Sequence, residues 1–413
     1  MKLSRRGFVS AALATGVAAA GTDARTKAAG LASLTTAAKP IAAQEHEARI
    51  AKLQALMQRA KVAALLVDAG STLEYFTGVR WSRSERTTAA LIPATGRTVL
   101  VTPFFEAPSI AETLKINADV RAWKEDESPF ELLAGALREQ AAAGELAVEE
   151  TTRFFITDRV LKAARNTRTV VPGDELVRAC RMIKSPAELA LMQVANDVTI
   201  AALRHVHSSI AVGMSSADIM NSMASATNAL GGVHEFSSVL LNEASAFPHG
   251  SHKPQSVREG SVILIDTGCT VHGYQSDITR TWVFGEPSSR QREVWDTVKR
   301  GQEIALETAK LGVPCGAIDK AVGAYYEQRG WRKDYGVPGL THRTGHGIGL
   351  DGHESPYLVR NDATPLAVGM CFSDEPGIYI PGDFGVRLED CWHMSEAGPR
   401  LFTRLAGSLT DPI

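Results

Sequence analysis

Two aspartates in the second half of the chain lie where a β-hairpin would bring their side chains together. Asp266 follows the apolar run 262–265, Asp277 lies in the next predicted strand, and a turn over 268–273 joins the two strands. In a hairpin centred on that turn, we expect the two aspartates to oppose each other across the ladder. Carboxylates in that arrangement repel each other, and burial increases the repulsion. A cation held between them would remove the conflict.

Two glutamates repeat the arrangement further along the chain. Glu375 lies on a predicted strand over 370–380, Glu389 lies on a second strand over 385–394, and the turn 381–384 joins them. Because the midpoint between the glutamates falls in this turn, they should also face each other across a hairpin. A single acid at the edge of a turn is usually solvated, but two hairpins that each carry an acid pair predict a metal site.

A glycine-rich segment between the two hairpins adds imidazoles. His342, His346 and His353 fall within twelve residues of one another, and the surrounding glycines let the backbone pass close to a ligand. A lone histidine is more often a core residue, but three in such a loop favour metal chemistry. The same segment contains a G-x-G-x-x-G match over 347–352. We reject it as a dinucleotide-binding motif, because no apolar strand leads into it and Pro356 interrupts any following helix.

The elements that must position these residues fall into two units. From 45 to about 178, helical and strand patterns alternate, which predicts a small α/β domain. A second unit begins near Lys184, where Ser185, Pro186 and Glu188 form the start of a helix with a capping box. Helices and hairpins are separate in this unit, which predicts an α+β domain. Its predicted helices cover 185–210, 216–230, 290–310 and 315–329.

Composition excludes several classes of protein. The 413 residues include 44 Lys plus Arg and 46 Asp plus Glu, and the resulting net charge of −2 argues against a nucleic-acid partner. Hydrophobic residues make up 44% and charged residues 22%, as is ordinary for a globular chain. The five cysteines are scattered and odd in number, so no disulfide framework is expected.

The first residues are typical of an export signal. Arg5 and Arg6, with Phe8 behind them, resemble a twin-arginine leader, and a modest apolar run over 9–20 follows. That run is too short to span a bilayer as a stop-transfer helix, so we expect no stable membrane insertion. We therefore assign 1–44 to a signal peptide and tether outside the fold, and we expect a periplasmic protein.

Five of the residues above resemble the metal ligands of a known family. In chain order they are Asp266, Asp277, His346, Glu375 and Glu389. They resemble the dimetal site of peptidase family M24, which contains methionine aminopeptidase, aminopeptidase P and prolidase. The matching stretches are IDTGCTVHGYQSDITRTW, TGHGIGLDGHESP, DEPGIYIPG and GVRLEDC.

This resemblance implies an architecture. The family's catalytic domain has the α+β pita-bread fold with internal pseudo-symmetry, which we expect over 182–413. The first unit resembles the smaller α/β creatinase-like domain, which we expect over 45–181. Methionine aminopeptidases lack that domain, so its presence favours the branch that cleaves Xaa-Pro bonds. The resemblance further implies a homodimer.

The resemblance also implies roles for other residues. His249 and His353 match catalytic histidines that contact the scissile amide or the developing oxyanion. His342 matches a substrate-side histidine, whereas Arg343 stands where many relatives carry a small residue. Arg387 lies two residues before Glu389, on the same face of its strand. Arg387 has two available tasks, to neutralise the acidic cluster or to bind a substrate carboxylate, and we assign it with His342 to substrate binding.

Charge balance and ligand type predict the cofactor. Four carboxylates and one neutral imidazole carry −4, which two divalent ions would neutralise. Oxygen-rich ligation with one nitrogen favours Mn²⁺, with Co²⁺, Zn²⁺ and Fe²⁺ as alternatives. Two such ions can hold a bridging water and make it hydroxide near neutral pH. Together with these ions, the resemblance implies a metallopeptidase that hydrolyses Xaa-Pro bonds in small peptides, of the dipeptidase or aminopeptidase type.

Other activities on the same fold remain open at this stage. One is amide C–N hydrolysis of a small modified amino acid, as in an ectoine hydrolase. Another is a dimethylsulfoniopropionate-lyase-like reaction. A metal-free binding protein or a creatinase-like enzyme is a third, but the intact ligand set argues against it.

The leader generates the first prediction. The twin-arginine route carries folded cargo, which suits an enzyme loaded with metal before export. Replacing both Arg5 and Arg6 by lysine should leave the protein in the cytoplasm, as measured by immunoblots of fractionated cells. Unchanged recovery of the double variant from the periplasm would contradict the assignment.

Overall fold

A computed structural model describes residues 30–141, 143–251 and 253–413. Of the predicted signal peptide and tether over 1–44, residues 1–29 lie outside the described residues. Within them, no helix combines the length and apolar character needed to cross a bilayer. The five cysteines are all buried and unpaired.

The first domain is built around a six-stranded mixed sheet in the order β4-β3-β2-β1-β5-β6. The central strand β1 is buried along its whole length, as expected for a continuous apolar run between two helical layers. The strands are β1 (Val62–Asp68), β2 (Ala89–Pro93), β3 (Val99–Pro103), β4 (Asp119–Trp123), β5 (Glu145–Val148) and β6 (Val170–Pro172). The helices are α1 (Ala43–Ala60), α2 (Ser71–Thr77), α3 (Ala107–Thr113), α4 (Pro129–Gln140), α5 (Phe154–Ala163) and α6 (Asp174–Arg181).

The predicted tether is wrong for residues 30–44. The Leu34 N–H donates to the Leu230 carbonyl at 2.9 Å, and the Thr35 hydroxyl donates to the Gly231 carbonyl at 3.2 Å. Ile41 is only 7% exposed and belongs to the largest hydrophobic core. This strap, residues 31–41, therefore packs against the second domain before α1 begins. Its apolar residues are scattered through an alanine- and threonine-rich stretch and show no helical or strand period, so the sequence gives no sign of their burial.

The second domain begins with the predicted capped helix. The Ser185 side chain accepts from the Glu188 N–H, and the Glu188 carboxylate accepts from the Ser185 N–H, which confirms the capping box. The helices are α7 (Pro186–His207), α8 (Ser216–Ala229), α9 (Ser289–Thr308) and α10 (Cys315–Gln328).

The strands of the second domain follow its helix pairs, so that each half consists of two helices and then a set of strands. The strands of the first half are β7 (Val233–Leu241), β8 (Val262–Val271), β9 (Tyr274–Gln275) and β10 (Ile278–Val283). Those of the second half are β11 (Gly345–Gly347), β12 (Glu354–Leu358), β13 (Cys371–Asp374), β14 (Gly377–Tyr379), β15 (Gly385–Arg387), β16 (Asp390–Ser395) and β17 (Gly398–Leu401).

The register of the first hairpin corrects the sequence prediction. Asp266 on β8 pairs with Thr279 on β10, so Asp277 stands two residues away from the position directly opposite. The two aspartates are therefore diagonal neighbours on one face of the hairpin, a separation that carboxylates still span. The hairpin is centred one residue later than expected, because β9 extends pairing around the tight turn at Gly273, whose φ is +89°.

The register of the second hairpin agrees with the prediction. Asp374 pairs with Asp390 on one side of the acids, and Gly377 pairs with Arg387 on the other. The two ladders share one register, and this register places Glu375 directly opposite Glu389. The predicted continuous strands are interrupted at this point, and the gap leaves both glutamates free to turn toward the first hairpin.

Packing of the strap can be tested by stability. Ile41→Ala should lower the midpoint of thermal unfolding, because shortening a buried isoleucine costs about 2–5 kcal/mol. Leu34→Ala is the matched control, since Leu34 is 44% exposed and should change the midpoint little. Equal midpoints for both variants and the wild type, measured by calorimetry, would show that the segment is a loose tether after all.

Candidate metal centre

The two hairpins and the histidine segment converge on one buried cluster. Potential ligand atoms lie within 4.8 Å of one another in three overlapping groups. The groups are Asp277/His346/His353, His346/Glu375/Glu389 and Asp266/Asp277/Glu389. All five residues with predicted ligand roles are thus brought together, and their assignment as ligands stays a prediction.

The orientation of His346 is suited to binding a cation. Its Nδ1 lies 3.0 Å from the Gly347 carbonyl, which can only accept, so Nδ1 carries the proton of the neutral ring. The unprotonated Nε2 then faces Glu375 at 3.4 Å and Asp277 at 3.7 Å. Burial holds the pKa of His346 well below its usual value. A lone pair directed at carboxylates is favourable only if a cation lies between them.

The carboxylates of the cluster also lack compensating partners within the protein. Asp266 Oδ1, Asp277 Oδ1 and Glu389 Oε1 are buried and have no hydrogen-bond partner among the described residues. Burial and mutual repulsion raise the pKa of Asp277 and Glu389 well above normal, and burial raises that of Glu375 to about 7. Unpaired buried carboxylates are costly. The donor set of oxygens with one imidazole therefore fits hard or borderline divalent ions.

A threonine joins the two hairpins. Thr279 pairs with Asp266 on one side and forms an isolated bridge with Glu389 on the other, where the Glu389 N–H donates to its carbonyl at 3.0 Å. The Thr279 hydroxyl donates to Glu389 Oε2 at 2.7 Å. Behind the cluster, the fully buried Arg280 pairs with Asp390 at 2.6 Å and donates to the Glu389 carbonyl at 2.8 Å. These contacts fix Glu389 from both its backbone and its side chain.

Arg387 lies in the cluster, but its contacts favour the structural task over substrate binding. It is 4% exposed, and its Nη2 donates to Asp266 Oδ2 at 2.6 Å. Its Nε donates to the Thr279 hydroxyl at 3.0 Å, and its Nη1 donates to the Tyr379 hydroxyl at 2.8 Å. Every nitrogen of the guanidinium is thus engaged by the protein. The sequence-based assignment of Arg387 to a substrate carboxylate is not supported by this geometry.

His342 is occupied in a similar way. Because Arg387 can only donate, the Tyr379 hydroxyl accepts from it and donates onward to His342 Nε2, at 2.8 Å. His342 Nδ1 then donates to the Arg343 carbonyl at 2.8 Å. Burial, followed by the charge of Arg387, lowers the pKa of His342 to about 3, so the ring is neutral. Both ring nitrogens are engaged, which argues against direct hydrogen bonding of substrate by His342.

Tyr379 was missed by sequence reasoning. It lies four residues after Glu375, and strand alternation would have placed both side chains on one face. The interruption between β13 and β14 makes that signal weak from sequence alone.

The predicted catalytic histidines lie on the open side of the cluster. His353 and His249 are both exposed. The His353 ring packs against that of His346, with 3.8 Å between centroids. Arg343 Nη2 donates to His353 Nδ1 at 3.0 Å, so the neutral His353 ring carries its proton on Nε2. The structure thus gives His353 a donor nitrogen. Partial desolvation of the ring, followed by the charge of Arg343, lowers the pKa of His353. The catalytic roles of both histidines stay predictions.

A cavity of about 520 Å³ adjoins His353. It lies between the two domains, with Tyr357 and Glu354 on one wall and Glu149 and Thr151 on the other. Both domains therefore contribute to a cleft that adjoins His353.

Comparison with known proteins agrees with this geometry. Residues 190–396 match the family described as metallopeptidase family M24, and residues 49–183 match the creatinase/prolidase N-terminal domain. A probable dipeptidase PepE of Mycobacterium tuberculosis is 31% identical, over 86% of this chain and 94% of its own. The crystal structure of dipeptidase PepE from Mycobacterium ulcerans has a TM-score of 0.81 at 30% identity, covering 89% of this chain and 97% of that one.

A recombinant prolidase from Thermococcus sibiricus is also similar. Its TM-score is 0.80 at 28% identity, and the match covers 87% of this chain and 97% of that chain. These likenesses confirm the predicted fold, a pita-bread α+β domain preceded by a smaller creatinase-like domain.

The acidic cluster generates a prediction for pH. In chelator-treated protein, the free energy of unfolding should fall as the pH rises from about 5 to about 7, because the raised pKa of Glu375 makes the folded state bind more protons than the unfolded chain. Glu375→Gln should reduce this fall, and added Mn²⁺ should abolish it in the wild type only. Melting midpoints at both pH values measure the effect. A chelated wild type with the same pH dependence as Glu375→Gln would contradict it.

Proposed function

The chain belongs to metallopeptidase family M24, and we propose that within this family it is a dipeptidase that hydrolyses Xaa-Pro substrates with two divalent ions, Mn²⁺ first among them. The peptidase class rests on the family. Support for the finer assignment comes from the relatives that are named as dipeptidases and prolidases, and from one residue of this chain. We also propose export by the twin-arginine route and formation of a homodimer. Both of these proposals rest on the sequence alone.

The observation that carries the dipeptidase assignment is the position of Arg343. Its guanidinium carbon lies 4.4 Å from the centroid of the Tyr357 ring, and its Nη2 donates to His353. Its Nε and Nη1 have no hydrogen-bond partner among the described residues. Arg343 is half-buried and, unlike Arg387, retains donors in a planar fork that matches a carboxylate.

A dipeptide suits this arrangement. Its terminal carboxylate is separated from the scissile carbonyl only by the proline nitrogen and Cα, so an anion site must adjoin the reacting centre. Arg343 meets this requirement, because it lies close enough to Glu375, His342 and His346 for its charge to act on all three. Burial raises the pKa of Glu375 and lowers those of His342 and His346, and the charge of Arg343 lowers all three. A longer peptide carries its carboxylate away from this position and gains nothing from it.

The chain's own residues have distinct tasks in the proposed reaction. Divalent ions, when bound by the five cluster residues, lower the pKa of a coordinated water and polarise the carbonyl. His353 presents its Nε2–H as a donor toward the negative charge that develops on the carbonyl oxygen. We assign to His249, on the exposed turn that precedes β8, a hydrogen bond to the scissile amide or the tetrahedral intermediate. Arg387 and Thr279 hold Asp266 and Glu389 in position.

The proposal is tested with purified Mn²⁺-loaded protein. We expect hydrolysis of Xaa-Pro dipeptides, with much lower kcat/KM for Xaa-Pro tripeptides and for dipeptides without proline. Preference for the tripeptides would identify an aminopeptidase instead. Turnover of a modified amino acid without any peptide hydrolysis would favour the small-amide hydrolase alternative.

Arg343 gives the sharpest prediction. Arg343→Ala should lower kcat/KM for Xaa-Pro dipeptides by roughly 10- to 100-fold, as expected for the loss of a charge-assisted hydrogen bond of about 1.5–3 kcal/mol. The matched control is the corresponding Xaa-Pro amide, which lacks the carboxylate and should lose less. Because contact with His353 affects both substrates alike, the ratio of the two losses isolates carboxylate binding. Equal losses of kcat/KM for the dipeptide and the amide would show that Arg343 does not bind the substrate carboxylate.

A further inference from the structure

An ionic network links the two domains beside the cluster. Arg181, the last residue of α6, directs its Nη2 at Asp351 Oδ2 at 2.8 Å and at Glu354 Oε2 at 2.6 Å. Its Nη1 donates to the hydroxyls of Ser71 at 3.1 Å and Thr72 at 3.0 Å, both at the start of α2 in the first domain. A single guanidinium therefore contacts both domains.

The two acids in this network flank His353. Asp351 lies two residues before it and Glu354 one residue after it. Asp351 also accepts from the Ser71 hydroxyl at 2.7 Å, and Glu354 accepts from the Lys184 ammonium group. The backbone that carries His353 is thus held on both sides by groups from the first domain and from the segment joining the domains.

We propose that Arg181 is a positioning residue for His353, through which the placement of the first domain sets the position of the proton-donating Nε2 over the metal cluster. This inference rests on the proposed catalytic use of His353. It adds that the first domain contributes to the chemical step and not only to the walls of the cleft.

Arg181 is suited to position rather than to bind. Its side chain is 10% exposed, and both terminal nitrogens are engaged with protein oxygens. Glu354 is equally enclosed, and the side chain of Lys184 is 2% exposed. Removing one partner of such a buried pair leaves an uncompensated charge, so the loop is expected to shift. A displacement of about 1 Å at a catalytic group can cost on the order of 100-fold in rate.

The neighbouring Arg178 provides a matched control. It lies one turn earlier on α6 and pairs with Glu150 at 2.8 Å and Asp174 at 3.4 Å. Both partners belong to the first domain, so Arg178→Gln removes the same charge from the same helix without touching the His353 loop. Arg181→Lys keeps the charge but lacks the fork that engages four side chains.

The experiment combines kinetics with a signal that needs no substrate. Arg181→Gln should lower kcat for an Xaa-Pro dipeptide by roughly 10- to 100-fold with metal content unchanged, and KM should change little. In a His353→Ala background the same substitution should cause almost no further loss. Arg178→Gln should retain wild-type kcat. The kcat of Arg181→Lys should lie between those of Arg181→Gln and the wild type.

Histidine NMR of the zinc-loaded protein reports on the position of His353 directly. The ring signal that disappears in His353→Ala should shift in Arg181→Gln and not in Arg178→Gln. Should no peptide be cleaved, the proposed function fails while this measurement still decides the positioning role. If Arg181→Gln does not fold, Asp351→Asn, whose side chain is 43% exposed, replaces it. An unmoved His353 signal, or additive losses in kcat, would overturn the proposal.

Discussion

The main physical constraint on this structure is an electrostatic one. Four carboxylates surround one neutral imidazole in a buried space, and their mutual repulsion must be offset. Strand pairing brings Asp266, Asp277, Glu375 and Glu389 together, and hydrogen bonding within the protein does not compensate them fully. The Nε2 lone pair of His346 adds to the same deficit. Such a cluster is unfavourable on its own and favourable around cations. The free energy of metal binding is therefore part of what makes this arrangement of hairpins sustainable.

The arginine side chains near the cluster fix the orientation of its residues rather than neutralise its charge. Arg387 engages one oxygen of Asp266, and because a guanidinium only donates, it sets the direction of the hydrogen bonds through Tyr379 and His342. Arg343 does the same for His353. The tautomers of His342 and His353 are thus determined by arginines. Arg181 extends this control across the domain boundary to the loop that carries His353.

Several parts of the fold were accessible from local sequence patterns. The capping box at Ser185 depends on neighbouring residues only, and the bounds of the four predicted helices agree with the structure within a few residues. The second hairpin was placed in register because its turn is short and its acids are symmetric about it. The first hairpin was misplaced, since a small additional strand tightened the turn and moved its centre. Register depends on such details because a shift in pairing changes every opposing residue.

The sequence by itself determined which side chains form the cluster. Acid pairs on hairpins and closely spaced histidines are local patterns whose chemistry follows from residue type, and the resemblance to family M24 selected His346 among the histidines. Only the tertiary structure decided what the surrounding residues do. Arg387 was expected at a substrate carboxylate, but Asp266, Thr279 and Tyr379 occupy its donors. The strap was expected to be loose, but Ile41 is buried in the core. Contacts between residues far apart in the chain decide both cases, because a donor's partner or an apolar side chain's burial is a property of the packed molecule.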